Sequence, residues 1–146
     1  MRGVPKEVEP FKSVRDIEKI KQYLRGKKSL RDYAIFTVGI NVGLRAGDLL
    51  KLKWSDVLEE DRIKKTIYII EEKTGKGKVI VLNKSARTAL QEFKNSLNNI
   101  TPNDYIFKSR KGNGHIQVRS LYKIINDTVK ELNIKGNYGS HSLRKT

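Results

Sequence analysis

The chain has 146 residues, with 31 Lys plus Arg against 16 Asp plus Glu, no Cys and two His, which gives a formal net charge of +15. The length fits one domain. The lack of cysteine excludes a disulfide framework and thiolate metal ligands, and two histidines argue against a multi-histidine metal site. Without a long apolar stretch or a secretory signal, we expect a cytoplasmic protein.

The excess of positive charge predicts a polyanionic partner, with nucleic acid first and an anionic membrane second. We find no basic amphipathic helix with a bulky apolar face and no lipidation motif, which disfavours the membrane. Basic residues concentrate in residues 73–87 and 108–123, interleaved with apolar residues. This pattern predicts a folded basic surface rather than a disordered arm.

The first third of the chain predicts three helices. A helix capped by Ser13 ends at Gly26, and a second, central helix runs from Ser29 to Gly43. A short third helix follows over residues 46–52.

The rest of the chain predicts a β-hairpin and two further helices. Two β-branched runs, residues 66–70 and 79–82, flank a polar loop over residues 71–78 that contains two glycines. Asn83 caps the next helix, and another helix covers residues 118–132. Between and after these helices we expect a turn, an extended piece, a basic loop and the first turn of a last helix, at residues 101–104, 105–107, 109–114 and 141–146.

Two sequence motifs place basic residues where one predicted helix or strand ends and the next begins. Arg45 follows a Gly-Leu pair and precedes Asp48 by three residues, so Asp48 is placed to orient the guanidinium or to cap the short helix. By itself this is a surface salt bridge. Lys73, Lys76 and Lys78 lie at the predicted hairpin; alone they are a solvated basic turn, because the phosphate-loop pattern is absent.

Two further motifs lie in the second half. His141 and Arg144 are spaced i and i+3, so on a helix they share a face and can reach one phosphate. The basic stretch over residues 108–111, at the start of the predicted loop, carries Lys108, Arg110 and Lys111, which suit nonspecific contacts with a nucleic-acid backbone.

In this order and spacing, from Val14 onward, the motifs resemble the catalytic domain of the tyrosine recombinases, the phage-integrase-like site-specific recombinases. The segment GLRAGDLL (43–50) resembles the family's first-arginine motif, KTGK (73–76) its lysine hairpin, and HSLR (141–144) its H-x-L-R block. Asp48 stands where the family more often has Glu. In the family the nucleophilic tyrosine follows H-x-L-R, whereas all six tyrosines here precede it.

The resemblance implies a partial catalytic domain over residues 1–146, with an α+β fold that is mainly helical and carries a small antiparallel sheet or hairpin. The implied fold is that of the DNA breaking-rejoining enzymes. We expect the final helices, the nucleophile segment and the N-terminal core-binding domain to be missing. Such a fragment would bind DNA without cleaving it.

The resemblance also implies phosphoryl transfer at a DNA phosphodiester through a 3′-phosphotyrosyl link, with no metal and no cofactor. Arg45 and Arg144 would donate paired hydrogen bonds to the phosphate. His141 would donate to it or accept the nucleophile's proton. Lys73 would protonate the leaving 5′-oxygen, with Lys76 as the competing candidate. The implied partners are double-stranded DNA and other recombinase protomers.

Three other functions fit part of this sequence. A non-catalytic DNA-binding or regulatory module would use the same basic surface without bringing Arg45, Lys73 and Arg144 together. A basic RNA-binding protein of ribosomal type would need none of the motifs. Relaxation of the type IB topoisomerase kind shares the chemistry and stays open. The preference for Lys over Arg points to an AT-rich bacterial or phage genome.

Overall fold

A computed structural model of the chain describes residues 11, 13–27 and 29–136. His141 and Arg144, predicted as site residues, lie outside the described residues, as does the predicted helix turn over 141–146.

The described elements are mainly helical and match the predicted fold class. The helices are α1 Val14–Gly26, α2 Leu30–Val42, α3 Ala46–Leu50, α4 Trp54–Val57, α5 Lys84–Ser96 and α6 Val118–Glu131. The strands are β1 Leu58–Glu59, β2 Arg62–Ile63, β3 Thr66–Ile70 and β4 Gly77–Val81, which pair as two antiparallel hairpins, β1–β2 and β3–β4.

The core forms around α2, as the breadth of its apolar surface predicts. Seven consecutive residues of this helix, from Tyr33 to Gly39, are buried, and α1 and α5 pack against it. Because a helix buried on nearly all sides cannot shift without opening the core, α2 is a rigid support for whatever follows its end.

The predicted helix caps at Ser13 and Asn83 are confirmed, and Ser29, predicted as the start of the second helix, is a cap as well. The side chains of Ser13, Ser29 and Asn83 accept hydrogen bonds from the N–H groups three residues later, at 3.2, 3.4 and 3.0 Å. Each bond satisfies one of the donors that a helix leaves unpaired at its start. Val14 is the first residue of α1 and is apolar, yet 75% of its surface is exposed because it lies in the first turn, beside the cap.

The chain between α3 and β3 differs from the prediction. α3 ends at Leu50 rather than at residue 52, and the Leu52 carbonyl accepts from the distant Ile106 N–H at 2.9 Å. The short helix α4 was not predicted. It buries Trp54 to 1% exposure, and the Asp56 carboxylate accepts from the Lys53 N–H at 2.8 Å.

The hairpin β3–β4 has one face in the core and one in solvent. Ile67 pairs with Ile80 on the buried face, and both are under 5% exposed. The opposite face carries side chains that are each more than 60% exposed: Tyr68, Ile70, Val79 and Val81. β3 matches its predicted bounds, whereas β4 begins at Gly77, two residues early, because Gly77 continues the ladder opposite Ile70.

Across the described part of the chain, no helix combines the length and the apolar character needed to cross a membrane.

Candidate active site

Arg45 reaches the surface because its two neighbours are buried. α2 ends at Gly43, whose φ of 67° lies in the left-handed region that glycine adopts without strain. Leu44 and Ala46 then enter the core with 2% and 5% of their surface exposed. Arg45 between them is the N-cap residue of α3, and 30% of its side chain is exposed. The junction therefore presents one guanidinium from a fixed backbone.

The turn between β3 and β4, which we call the lysine turn, comprises residues 71–76. The Glu71 N–H donates to the Lys76 carbonyl at 2.9 Å, and the Gly75 N–H donates to the Glu71 carbonyl at 2.8 Å. Gly75 has a φ of 70°, which a residue with a side chain adopts only with strain. Exposed Lys73 makes no hydrogen bond or ion pair within the described residues, so its ammonium group is available to a ligand.

Glu71 joins the lysine turn to Arg45. Its Oε2 accepts from Arg45 Nη1 at 2.9 Å, and its Oε1 accepts from the Thr74 hydroxyl at 3.3 Å. The Thr74 oxygen in turn accepts from the Lys76 N–H at 3.2 Å. A single carboxylate, 15% exposed, thus contacts both the first arginine and the turn that carries Lys73.

Asp48 and Lys51 hold the next residue of the same turn. Asp48 Oδ1 accepts from the Glu72 backbone N–H at 3.1 Å, and the Lys51 ammonium pairs with the Glu72 carboxylate. From the sequence, Asp48 was expected either to contact Arg45 or to cap α3. In the structure its carboxylate contacts the lysine turn. The hypothesis that Asp48 orients Arg45 survives only in an indirect form, through the lysine turn.

The remaining lysines of the hairpin differ in position. Lys76 is exposed in the lysine turn, close to Lys73 in sequence. Lys78 lies on β4 opposite Ile69 and is partly buried. Of the two, Lys76 is the one that the turn presents next to Lys73.

The predicted DNA-binding loop is a short turn closed by one antiparallel bridge, and we use the name basic loop for its residues 108–115. Lys108 and His115 form an antiparallel bridge, and the Ser109 N–H donates to the Gly114 carbonyl at 2.8 Å. Exposed Arg110 and Lys111 occupy its tip and make no ion pair within the described residues. Their charges are therefore free for an anion.

Arg31 at the start of α2 anchors the basic loop. Its Nη1 donates to the Lys108 carbonyl at 3.0 Å while its Nε donates to Asp32 at 3.0 Å. The His115 ring meets the Tyr105 ring edge-on, with centroids 5.0 Å apart. The base of the loop is thus fixed, although its tip is exposed.

A groove of about 530 Å³ lies between the basic loop and α6. Its lining includes Arg31, Arg110, Lys111 and, on α6, Lys123 and Asp127. Lys123 pairs with Asp127 at 2.8 Å, and this hydrogen bond is the main reason why the pKa of Asp127 is lowered. The groove is cationic apart from Asp127 and Asp32.

Sequence reasoning missed Glu71 and Arg31. Glu71 immediately follows β3 and is one of two adjacent acids before Lys73, which was a signal that the turn is acidic as well as basic. Arg31 carried no signal, because its partner is a carbonyl 77 residues away. No group of three or more His, Cys, Asp or Glu residues that could hold a metal ion occurs in the described ranges.

Two solved structures share this fold. The crystal structure of XerA recombinase superposes with a TM-score of 0.75 at 25% identity, over 96% of this chain and 49% of that one. A lambda integrase tetramer bound to a Holliday junction gives 0.68 at 21% identity, over 99% of this chain and 41% of that one. The fold is that of a tyrosine recombinase catalytic domain.

Sequence comparison gives the family. The model of the phage integrase family matches residues 12–146. The probable integrase/recombinase YoeC of Bacillus subtilis (strain 168) is 33% identical over 139 residues, which are 95% of this chain and 72% of YoeC. The chain belongs to the phage integrase family. It spans about half or less of the two solved recombinases and 72% of YoeC.

Proposed function

We propose that this chain serves site-specific DNA recombination as part of a catalytic domain, which in the full-length protein works by phosphoryl transfer through a 3′-phosphotyrosyl intermediate. The observation that carries the proposal is the bridge from Arg45 to the lysine turn through Glu71. A module that only binds DNA needs its cations on the surface but does not need an arginine joined to the turn that carries a lysine. A site that acts on one phosphate does.

The proposed chemistry uses fixed cations. In the transition state negative charge grows on the non-bridging oxygens of the scissile phosphate, and preorganised donors stabilise it most effectively. Arg45 provides a planar guanidinium that can donate two parallel hydrogen bonds to those oxygens. We assign the same task to Arg144 and assign His141 as a donor to the phosphate or an acceptor of the nucleophile's proton; both lie outside the described residues.

Lys73 is the proposed general acid for the leaving 5′-oxygen. It lies two residues beyond Glu71, on the turn that Glu71 and Asp48 hold against the Arg45 junction. Lys76 is the alternative, since it lies on the same turn and is also exposed.

Double-stranded DNA is the proposed partner, and other recombinase protomers are expected to assemble with the chain on it. The net charge of +15 and the free tip of the basic loop favour contacts with DNA phosphates. Lambda integrase is a tetramer on its junction, which supports assembly of this chain as well. Action on DNA also fits a location in the cytoplasm of a bacterium.

The test captures covalent protein–DNA adducts. The product of the full reading frame that contains this sequence is mixed with a pool of randomised, nicked duplexes, and adducts that survive denaturation are isolated and sequenced. We expect adducts that join protein to a DNA 3′-phosphate. DNA binding without any adduct would contradict the proposal and favour the non-catalytic DNA-binding module.

The captured sequence then tests Lys73. Its scissile 5′-oxygen is replaced by sulfur, which leaves without a proton because a thiol has a pKa of about 8.5. Lys73→Ala should cleave the oxygen substrate slowly and the sulfur substrate at the wild-type rate, while the matched variant Lys76→Ala cleaves both normally. The reverse pattern would assign the general acid to Lys76.

A further inference from the structure

We infer that Glu71 is a positioning residue, which sets the guanidinium of Arg45 and the lysine turn relative to each other before DNA binds. This inference rests on the proposed function, because it assigns Glu71 a role in the same phosphoryl transfer. The two contacts of the Glu71 carboxylate, with Arg45 and with Thr74, carry it.

The two carboxylate oxygens of Glu71 have separate partners. One accepts from Arg45 Nη1 and the other from the Thr74 hydroxyl, so the carboxylate spans the gap between the α2–α3 junction and the lysine turn. A carboxylate bonded at both oxygens has little freedom to rotate. Both the arginine and the turn are therefore restrained by one group.

The bridge leaves Arg45 able to bind a phosphate. A guanidinium has five N–H donors, and the only hydrogen bond or ion pair that the Arg45 guanidinium makes in the described part of the chain joins its Nη1 to Glu71. The remaining donors still provide the paired geometry that a phosphate requires. Glu71 thus orients the guanidinium from one side without occupying its whole binding edge.

The backbone of the lysine turn also has hydrogen bonds that do not involve this side chain. Hydrogen bonds between Glu71 and Lys76 and between Gly75 and Glu71 join main-chain atoms only, and Asp48 holds the Glu72 N–H. Removal of the Glu71 carboxylate should therefore leave the turn folded while it frees Arg45 and Thr74. Rate and folding can be separated in a variant.

Glu72 provides a matched control. It is the adjacent residue and has the same charge, but its carboxylate is 64% exposed and pairs with Lys51 rather than with Arg45. Loss of either acid makes the chain more positive by one charge. Any difference between the two variants therefore reports the bridge and not the net charge.

The experiment compares Glu71→Ala and Glu72→Ala by single-turnover cleavage of the captured duplex and by its dissociation constant. Misplacement of a reacting group costs up to about 100-fold in rate, so we expect Glu71→Ala to cleave about 10- to 100-fold more slowly. Both variants should bind DNA as tightly as the wild type or more tightly, because each removes an anion near the phosphates. Glu72→Ala should cleave normally.

A double-mutant cycle tests whether Glu71 acts through Arg45. In the background Arg45→Ala, a further Glu71→Ala change should have little additional effect on the rate, because the group to be oriented is gone. Equal rates for the wild type and Glu71→Ala, or fully additive effects, would overturn the inference while covalent cleavage by the wild type still supports the proposed function. No cleavage by the wild type would instead overturn the proposed function.

Discussion

The lysine turn and the basic loop are both tight turns that present cations, yet they are held in different ways. In the lysine turn, acidic side chains connect the cationic residues: Glu71 contacts Arg45, and Glu72 contacts Lys51. In the basic loop, main-chain hydrogen bonds and Arg31 fix the base, and no carboxylate in the described residues pairs with the tip.

This difference between the two turns suggests that one sets the geometry of the site and the other sets the affinity for DNA. Carboxylates next to a DNA-binding surface weaken its attraction for phosphates, so a turn that keeps two of them must gain something else, and here it gains a fixed orientation for Arg45. At the tip of the basic loop, Arg110 and Lys111 pair with no carboxylate in the described residues, whereas Lys108 at its base pairs with Asp104 at 3.3 Å. We therefore expect the lysine turn to control rate and the basic loop to control affinity.

The largest expected effect follows from Arg45→Lys. Lysine keeps the charge but lacks the planar pair of donors, and it cannot hold Glu71 and a phosphate in the same geometry. Loss of one such donor lowers a rate by about 10²- to 10³-fold. Single-turnover cleavage should show that loss, while fluorescence anisotropy with the same duplex shows nearly unchanged binding. Normal cleavage by this variant would remove the distinction between the two turns.

An intermediate effect is expected when the basic loop loses its tip charges in the double variant Arg110→Gln, Lys111→Gln. If each side chain neutralises one phosphate, the slope of log K against log salt should become shallower by about 1.8. The rate of cleavage at saturating protein should stay at the wild-type value. A slower rate at saturation, with an unchanged salt slope, would place the basic loop in the catalytic machinery instead.

The smallest effect, with the opposite sign, is expected from Asp127→Asn in the groove beside the basic loop. This change releases Lys123 from its ion pair and should steepen the same salt slope by at most about 0.9. Because the Lys123 hydrogen bond lowers the pKa of Asp127, the carboxylate is ionised throughout the neutral range, and the gain should be the same at about pH 6 and about pH 8. Weaker binding by this variant would show that Lys123 does not face DNA.

Local signals in the sequence predicted several helix ends and strand β3 well. Ser13, Ser29, Asn83 and Gly43 mark helix ends by their own chemistry, and the β-branched run in β3 needs no distant partner to be recognised. These features depend on residues within a few positions of each other, which is why sequence alone was sufficient.

The hydrogen bonds and ion pairs within the site join residues that are far apart in sequence, so they could not be predicted. Arg45 and Glu71 are 26 positions apart, and Asp48 bonds to a backbone group 24 positions away. An acid three residues after an arginine invites the inference that the two are paired. The lysine turn instead brings Glu71 within reach of Arg45. Asp48, which is nearer to Arg45 in sequence, accepts from a backbone N–H of the turn.

The burial of α2 also limits how this protein can change. The helix runs from Leu30 to Val42, with Arg31 at its start and Arg45 three residues beyond its end. One inserted residue would advance everything after it by about 1.5 Å and rotate it by about 100°, since an α-helix has about 3.6 residues per turn. Insertions and deletions should therefore be tolerated better in connecting segments such as residues 97–104 than in α2, because only α2 fixes the spacing between Arg31 and Arg45.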